Sequence, residues 1–311
     1  MIDIVTLFSS VLLLLLMVIP GILMSKFGLS NKLFGKGLSN LTLYVTQSAL
    51  IIHAYIRDFD KEVFARAGIM LAFVVAFHVI FTLISFSLYK KYPDDIKRVL
   101  RYATIFTNAG YMGIPLITSI LNDEAAIYAS IYVIVFNVFS WTVGCYIYTG
   151  NGKYISLKKA FLNPATISTL IGLTIFILPI NGYIPPIIIN FLISMKNMVA
   201  PISMLIIGLQ LANIDLKGIF KDAAMYKYLV LRMLLIPAMA WGVLKCASLL
   251  GYSDPTVMTV ILICSATPAA AATSMFAEIF DGNSTYASKI VSVSTIISLI
   301  TMPIVALLLY I

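Results

Sequence analysis

The chain has 311 residues, of which 61% are hydrophobic and only 11% are charged. A soluble domain carries about a quarter charged residues, so this composition excludes an ordinary soluble domain and indicates a protein surrounded by lipid. The formal net charge of +8 does not indicate a nucleic-acid partner, because the basic residues fall mainly in short segments between apolar runs.

The apolar runs predict the number of membrane spans. A transmembrane helix needs about 20 mostly apolar residues. In chain order, the ten predicted spans are 4–25, 33–56, 63–89, 99–121, 124–149, 162–181, 185–211, 226–250, 255–279 and 284–310. No loop between them is long enough for a soluble domain, so the sequence predicts an all-α polytopic membrane protein with one membrane domain.

Lysine and arginine predict the orientation of these spans. The loops after predicted spans 1, 3, 5, 7 and 9 hold 15 of the 21 basic residues, and basic loops stay on the cytoplasmic side of a membrane. We therefore expect a multi-pass protein of the cell membrane with both termini on the extracellular or periplasmic side.

Ten spans divide into two halves of five, residues 1–150 and 151–311. An odd number of spans in each half gives the halves opposite orientations, which is the inverted-repeat design of many transporters. The triplet "YAS" at Tyr128–Ser130 recurs 158 positions later at Tyr286–Ser288, at the start of predicted spans 5 and 10. The sequence thus predicts two inverted five-helix repeats.

Predicted span 4 contains "FTNAGYMGIPLI", in which Asn108, Gly110, Gly113 and Pro115 lie close together. Pro115 has no N–H group and clashes with the preceding turn, while the two glycines permit unwinding. A bare backbone polar group in hydrocarbon costs several kcal/mol, so an interruption persists only inside protein or beside a wet cavity. This cluster predicts an interrupted span.

Predicted span 9, the repeat partner of span 4, is interrupted in the same way by Pro268, with Ser265 and Thr267 beside it. Two interrupted helices that cross near the midplane each present a half-helix N-terminus, which is partly positive and can hold an anion. We predict the crossing as the binding site of an anionic substrate. The alternative is a pair of proline kinks that only shape packing.

Three further polar residues are weaker candidates for the substrate site. Lys196 in predicted span 7 either binds a carboxylate or extends its ammonium group toward the membrane surface. Asn137 in span 5 and Thr295 in span 10 are related by the same offset of 158 positions. Each of them either lines a central cavity or makes an interhelical hydrogen bond.

The sequence shows no catalytic motif, so we expect neither an enzyme nor a bound cofactor or metal. An intramembrane enzyme needs a Ser/His pair, an aspartate pair or a metal motif. The leading hypothesis is a secondary transporter of small organic anions. The alternatives are a sodium-coupled organic-anion symporter and, in other functional classes, a passive channel or an intramembrane enzyme.

Four stretches resemble the auxin efflux carrier family, which includes the PIN-FORMED carriers of plants and bacterial permeases. They are "TNAGYMGIPL" (107–116), "NPATISTLIGL" (163–173), "APISMLIIGLQLA" (200–212) and "ATPAAAATSMFAEIFDGNSTYASKIVSVSTIISLITMPIV" (266–305). The resemblance implies ten helices, a scaffold of spans 1, 2, 6 and 7, and a transport part of spans 3–5 and 8–10. It also implies elevator-type export of auxin-like or dicarboxylate anions by a homodimer.

The family's helix crossover carries over onto Asn108 and Pro115 in span 4 and onto Pro268 in span 9. This sequence differs from the family pattern at two places. Span 2 has Gln47 where the family pattern has proline, so the scaffold half is less symmetric, and span 9 has no asparagine near its crossover. The long cytoplasmic loop of many plant members is absent, which leaves auxin as the natural substrate in doubt.

Overall fold

A computed structural model describes residues 4–178, 180–212 and 222–308. The α-helices in these ranges are α1 (Ile4–Lys26), α2 (Lys32–Leu41), α3 (Gln47–Ala54), α4 (Lys61–Leu88), α5 (Asp94–Ile105), α6 (Ile114–Ile120), α7 (Ala125–Phe139), α8 (Cys145–Thr149), α9 (Leu157–Phe161), α10 (Pro164–Ile177), α11 (Pro186–Lys196), α12 (Val199–Ala212), α13 (Ala223–Val230), α14 (Ile236–Leu249), α15 (Pro255–Ala266), α16 (Ala272–Ile279) and α17 (Ser284–Leu307). The described ranges contain no β-strand, only an isolated antiparallel bridge between Thr107 and Ala269.

Several of these helices are continued by π-helical segments. The π-helical segments in the described ranges are Thr42–Thr46, Ala109–Gly113, Ser140–Gly144 and Leu231–Leu235. The first leads into α3 and the second into α6, while the third joins α7 to α8 and the fourth joins α13 to α14. A π-helical turn accommodates an extra residue and often occurs at a functional site.

Asparagine and aspartate residues determine where many of the helices begin. The side chains of Asp60, Asn163, Asp254 and Asn283 each accept a hydrogen bond from a backbone N–H in the first turn of the following helix. These N-caps satisfy backbone donors that have no partner within the helix. The polar residues between the apolar runs therefore act as helix starts.

Several helices are long and apolar enough to cross a membrane, which confirms a multi-pass membrane protein. The six longest candidates within the described residues are Ser9–Lys26, Lys61–Leu88, Ala125–Thr149, Pro186–Ala212, Ala223–Leu249 and Ser284–Leu307. A pair bent by 46°, Gly152–Phe161 with Pro164–Ile177, makes a seventh if it is one span. The number of ten spans stays a prediction, and most of the predicted loop between spans 7 and 8 lies outside the described residues.

Two close helix contacts depend on glycine. Helix α1 packs along α12 with Gly21 facing Gly208, where a Cβ atom added to Gly208 would lie 2.2 Å from the Val18 carbonyl oxygen. Helix α10 packs against α3, where a Cβ atom on Gly172 would lie 2.5 Å from the Tyr55 ring. These contacts join predicted span 1 to span 7 and predicted span 2 to span 6.

The buried apolar side chains form two clusters that meet at one place in the fold. Ala109 and Ala266 belong to one cluster, while Phe106 and Ala269 belong to the other. The chain leaves the helical conformation between these residues on both sides. The boundary between the two apolar clusters therefore coincides with the candidate functional site.

Candidate functional site

Two helices stop inside the protein and resume a few residues later. Helix α5 ends at Ile105, and helical structure resumes at Ala109. Helix α15 ends at Ala266, and α16 begins at Ala272. We call the intervening residues, 106–108 and 267–271, the two crossing segments and their meeting point the crossing.

The two crossing segments are hydrogen-bonded to each other. The Ala270 N–H donates to the Phe106 carbonyl at 3.0 Å, and the Asn108 N–H donates to the Pro268 carbonyl at 2.8 Å. This antiparallel pairing satisfies backbone groups that the interrupted helices leave free. A buried segment without such partners would cost several kcal/mol for each bare group.

The first interruption lies upstream of Gly110 and Pro115, whereas the sequence pattern places it at Pro115. Pro115 lies in the first turn of α6, directly after the π-helical turn Ala109–Gly113, so the chain is helical on both sides of the proline. A Cβ atom on Gly110 would lie 3.5 Å from the Gln47 amide nitrogen, and one on Gly113 would lie 3.4 Å from a Thr267 methyl group. Both distances are ordinary van der Waals contacts, and both glycines lie in the helical segment that begins at Ala109.

Asn108 is the residue that precedes the second half of the first interrupted helix. It is only 4% exposed, and its side chain does not cap the π-helical segment that follows. The helical residues after Asn108 and those of α16 both begin at the crossing. The positive ends of two half-helices therefore converge there.

The π-helical segment between α13 and α14 places an arginine against the second crossing segment. Arg232 is fully buried, and its Nη2 donates to the Thr267 carbonyl at 2.6 Å. Its Nε and Nη1 have no hydrogen-bond partner, and no carboxylate of the described residues forms an ion pair with it. The sequence pattern did not single out Arg232.

Side chains of α4, α7 and α17 lie around the crossing together with Arg232. The Thr107 hydroxyl donates to the Tyr132 hydroxyl at 3.2 Å, and the Ala269 N–H donates to the Ser294 hydroxyl at 3.2 Å. The ring of His78 packs on Tyr132, with a centroid separation of 5.4 Å. The Nε2 of His78 has no partner among the described residues.

Four of the predicted hydroxyl and amide candidates have partners within the protein. The hydroxyl groups of Ser265, Thr267 and Thr295 each donate to a backbone carbonyl of the preceding turn, at 2.7–2.8 Å. The Asn137 amide donates to the Thr166 hydroxyl of α10 at 3.2 Å. The crossing thus brings together Asn108, Thr267 and Pro268, whereas Asn137 joins two helices.

Lys196 is the last residue of α11 and has a carboxylate partner. Its Nζ donates to the Asp123 carboxylate at 2.6 Å and lies 3.2 Å from the His53 Nδ1. Two similar contacts occur at the starts of α7 and α15, where Arg57 pairs with Glu124 and Arg66 pairs with Asp254, each at 2.9 Å. All three contacts are ion pairs between a basic side chain and a carboxylate.

A small apolar cavity lies beside the helical segment that follows Asn108. One wall is formed by α1 and α12, and the other by Met112, α6 and α17. Its lining includes Val11, Leu14, Met204, Met112, Leu116 and Ser298. Two groups of helices therefore line the cavity next to the crossing.

One sequence signal could have identified Arg232. It is the only charged residue between Lys227 and Lys245 in an apolar run, and an ionisable residue within a membrane span is by default a functional candidate. Tyr132 and Ser294 carried no such signal, because tyrosine and serine are common in transmembrane helices.

The family model described as Membrane transport protein matches the chain twice, over residues 6–158 and 153–306. Together the two matches cover nearly the whole chain. Among curated proteins none matches it.

Proposed function

The chain belongs to the membrane transport protein family, as its resemblance to the auxin efflux carriers predicted, and from that premise we propose that it is an efflux carrier of small organic anions. The family is a transporter family and not an enzyme family. The proposed carrier is a secondary transporter of the cell membrane, and its substrates are auxin-like acids or dicarboxylates.

The observation that carries this proposal is the buried crossing. Two half-helices begin there with their positive ends together, and Asn108 adds a side-chain donor that is not used as a cap. Backbone N–H groups at a helix start bind anions without a full counter-charge. A carboxylate is the small organic anion that fits this donor set.

The proposed topology has ten spans in two inverted repeats, 1–150 and 151–311. The two successive family matches support this division, since each covers about one half of the chain. The long spans number seven when the bent pair is one span, and they become ten when α2–α3 and the two interrupted helices are added. Both termini then lie outside, in keeping with the basic loops after the odd-numbered spans.

We assign an elevator-type motion to the carrier, in which spans 3–5 and 8–10 move against spans 1, 2, 6 and 7. The cavity lined by α1, α12 and Met112 supports this division, because residues of both groups of helices line it beside the crossing. The static spans serve as the interface of a homodimer.

Counterflow in proteoliposomes tests the function. The proteoliposomes are loaded with unlabelled indole-3-acetate, malate or malonate, and uptake of the labelled compound is followed with and without sodium. We expect exchange of at least one anion without sodium. Exchange that requires sodium replaces this proposal with the sodium-coupled symporter, and no exchange by folded protein contradicts the proposed substrate class.

A further inference from the structure

Arg232 is a buried cation whose charge is not balanced by the protein that surrounds it. It is fully buried, in a helix long and apolar enough to span a membrane. Burying an isolated ionised group is expensive, and buried charges in proteins are normally paired with an opposite charge. Arg232 has no carboxylate partner among the described residues, so its position calls for an explanation outside the folded chain.

The single hydrogen bond that Arg232 makes compensates only part of its charge. Its acceptor, the Thr267 carbonyl, is the C-cap of α15. A helix C-terminus carries about half of an elementary negative charge. A substantial positive charge therefore remains, together with the unpartnered N–H groups on Nε and Nη1.

Building on the function proposed above, we propose that Arg232 compensates the negative charge of the transported anion and makes the carrier selective for monovalent carboxylates. The crossing segment that Arg232 contacts is the one bonded to Asn108 through Pro268. The guanidinium therefore belongs to the same bonded unit as the anion site. Neither Arg232 nor its role was assigned by the sequence pattern.

The chemistry of the guanidinium favours a carboxylate as the ligand. Its planar array of five donors matches the two oxygens of a carboxylate, and it stays protonated under all physiological conditions. One of these donors is used by Thr267, and donors on two other nitrogen atoms are free. A fixed internal cation also removes the need for a sodium ion to balance the charge of the substrate.

The number of charges determines which carboxylates fit. One arginine balances one carboxylate, so a monovalent anion forms a nearly neutral pair inside the membrane. A dicarboxylate in its doubly ionised form leaves one negative charge uncompensated in a medium of low dielectric constant. We therefore expect monovalent anions to bind at least about 100-fold more tightly than divalent anions of the same skeleton.

The test compares probes of matched shape and different charge on the complete protein in proteoliposomes. Malonate, its monomethyl ester and its dimethyl ester carry two, one and no negative charges when every free carboxyl is ionised. Indole-3-acetate and its neutral amide form a second matched set. Competition with the exchanged substrate gives the transport readout, and thermal stabilisation of the detergent-solubilised protein gives a binding readout.

Three variants separate charge from packing. Arg232→Gln should weaken monovalent anion binding by about 10- to 100-fold, the effect of losing a charged hydrogen bond, and should abolish the distinction between acid and amide. Arg232→Lys should keep the preference for a single charge with reduced affinity. Lys196→Gln is the matched control, since it removes a basic residue that already has a carboxylate partner.

The outcomes distinguish this inference from the proposed function. Exchange of organic anions that is equal for malonate and its monoester, or unchanged in a folded Arg232→Gln variant, overturns the role of Arg232 and leaves the organic-anion carrier standing. Failure of folded wild-type protein to exchange any anion overturns both. Selectivity for the monoester that is lost in Arg232→Gln and kept in Arg232→Lys establishes the inference.

Discussion

Arg232 and Lys196 are both basic residues inside predicted spans, but they differ in burial and in the partner of the charged group. Lys196 donates to Asp123 at 2.6 Å, and 58% of the Asp123 side chain is exposed. Arg232 is fully buried, and its hydrogen-bond partner among the described residues is a backbone carbonyl. The lysine therefore belongs to a partly exposed ion pair, whereas the arginine holds an uncompensated charge at the crossing.

This difference shows that the depth of a charged residue in a hydropathy pattern does not determine its role. Lys196 lies in the middle of predicted span 7, yet α11 ends there and the basic side chain reaches a loop carboxylate. In the helical spans Pro186–Ala212 and Ala223–Leu249, Lys196 and Arg232 lie ten and nine residues after the first residue. Arg232 lies within a π-helical segment that turns it toward the second crossing segment. What separates the two is the partner, which only the fold supplies.

Replacing Arg232 with methionine should give the largest loss of transport of these variants, without a matching loss of stability. Transport of a monovalent anion is expected to fall by about 100-fold or more, because no charge remains to balance the carboxylate. The loss of the bond to Thr267 costs about 1.5–3 kcal/mol, and the relief of burying an unpaired charge offsets it. Thermal unfolding in detergent should therefore show a melting temperature that is unchanged or raised.

Lys196→Met serves as the control for this experiment, since it deletes a cation of similar length from an ion pair. It should leave anion transport intact. A steep drop in the melting temperature of Arg232→Met would show that the arginine holds the crossing together as a structural residue. Arg232 and Lys196 would then differ in their contribution to folding and not in substrate binding.

Much of the fold follows from local sequence patterns, namely apolar runs and the polar residues between them. Apolar runs bounded by Asp and Asn caps predict where α4, α10, α15 and α17 begin, because a cap and a run of that length need no tertiary information. Interrupted membrane spans at Asn108 and Pro268 stay a prediction; in the structure α5 ends at Ile105 and α15 ends at Ala266.

The register of the first interruption and the arginine could not be derived in this way. Proline and glycine predicted a break at Pro115, but the chain breaks at residues 106–108, where pairing with 267–271 supplies hydrogen bonds that helix propensity does not consider. The environment of Arg232 likewise depends on residues from α4, α7 and α17 that meet only in the folded chain. Both features are consequences of long-range packing.

Asn108→Ala should give an intermediate loss of transport, which tests whether the crossing binds the substrate. The amide side chain does not cap its helix, so its removal should cost little stability. Loss of a hydrogen bond to a charged ligand corresponds to about a 10- to 100-fold rise in the KM for the transported anion. Initial rates of uptake, normalised to folded protein in the liposomes, measure this change.

Asn137→Ala is the matched control for that variant. Its amide donates to Thr166 and joins α7 to α10, so the expected result is a loss of stability of about 1 kcal/mol with an unaltered KM. Equal losses of transport and of folded protein in Asn108→Ala would assign Asn108 to packing and remove it from the anion site.

Lys196→Gln should give the smallest effect, because an ion pair with an exposed carboxylate contributes about 0.2–1 kcal/mol. The affinity for the anion should stay within about twofold of wild type, since the Lys196 charge is already balanced by Asp123. A double-mutant cycle with Asp123→Asn measures the coupling, and high salt should reduce it through screening. A large, salt-insensitive rise in KM in Lys196→Gln alone would instead make the lysine a substrate ligand, and the two basic sites would then share the anion.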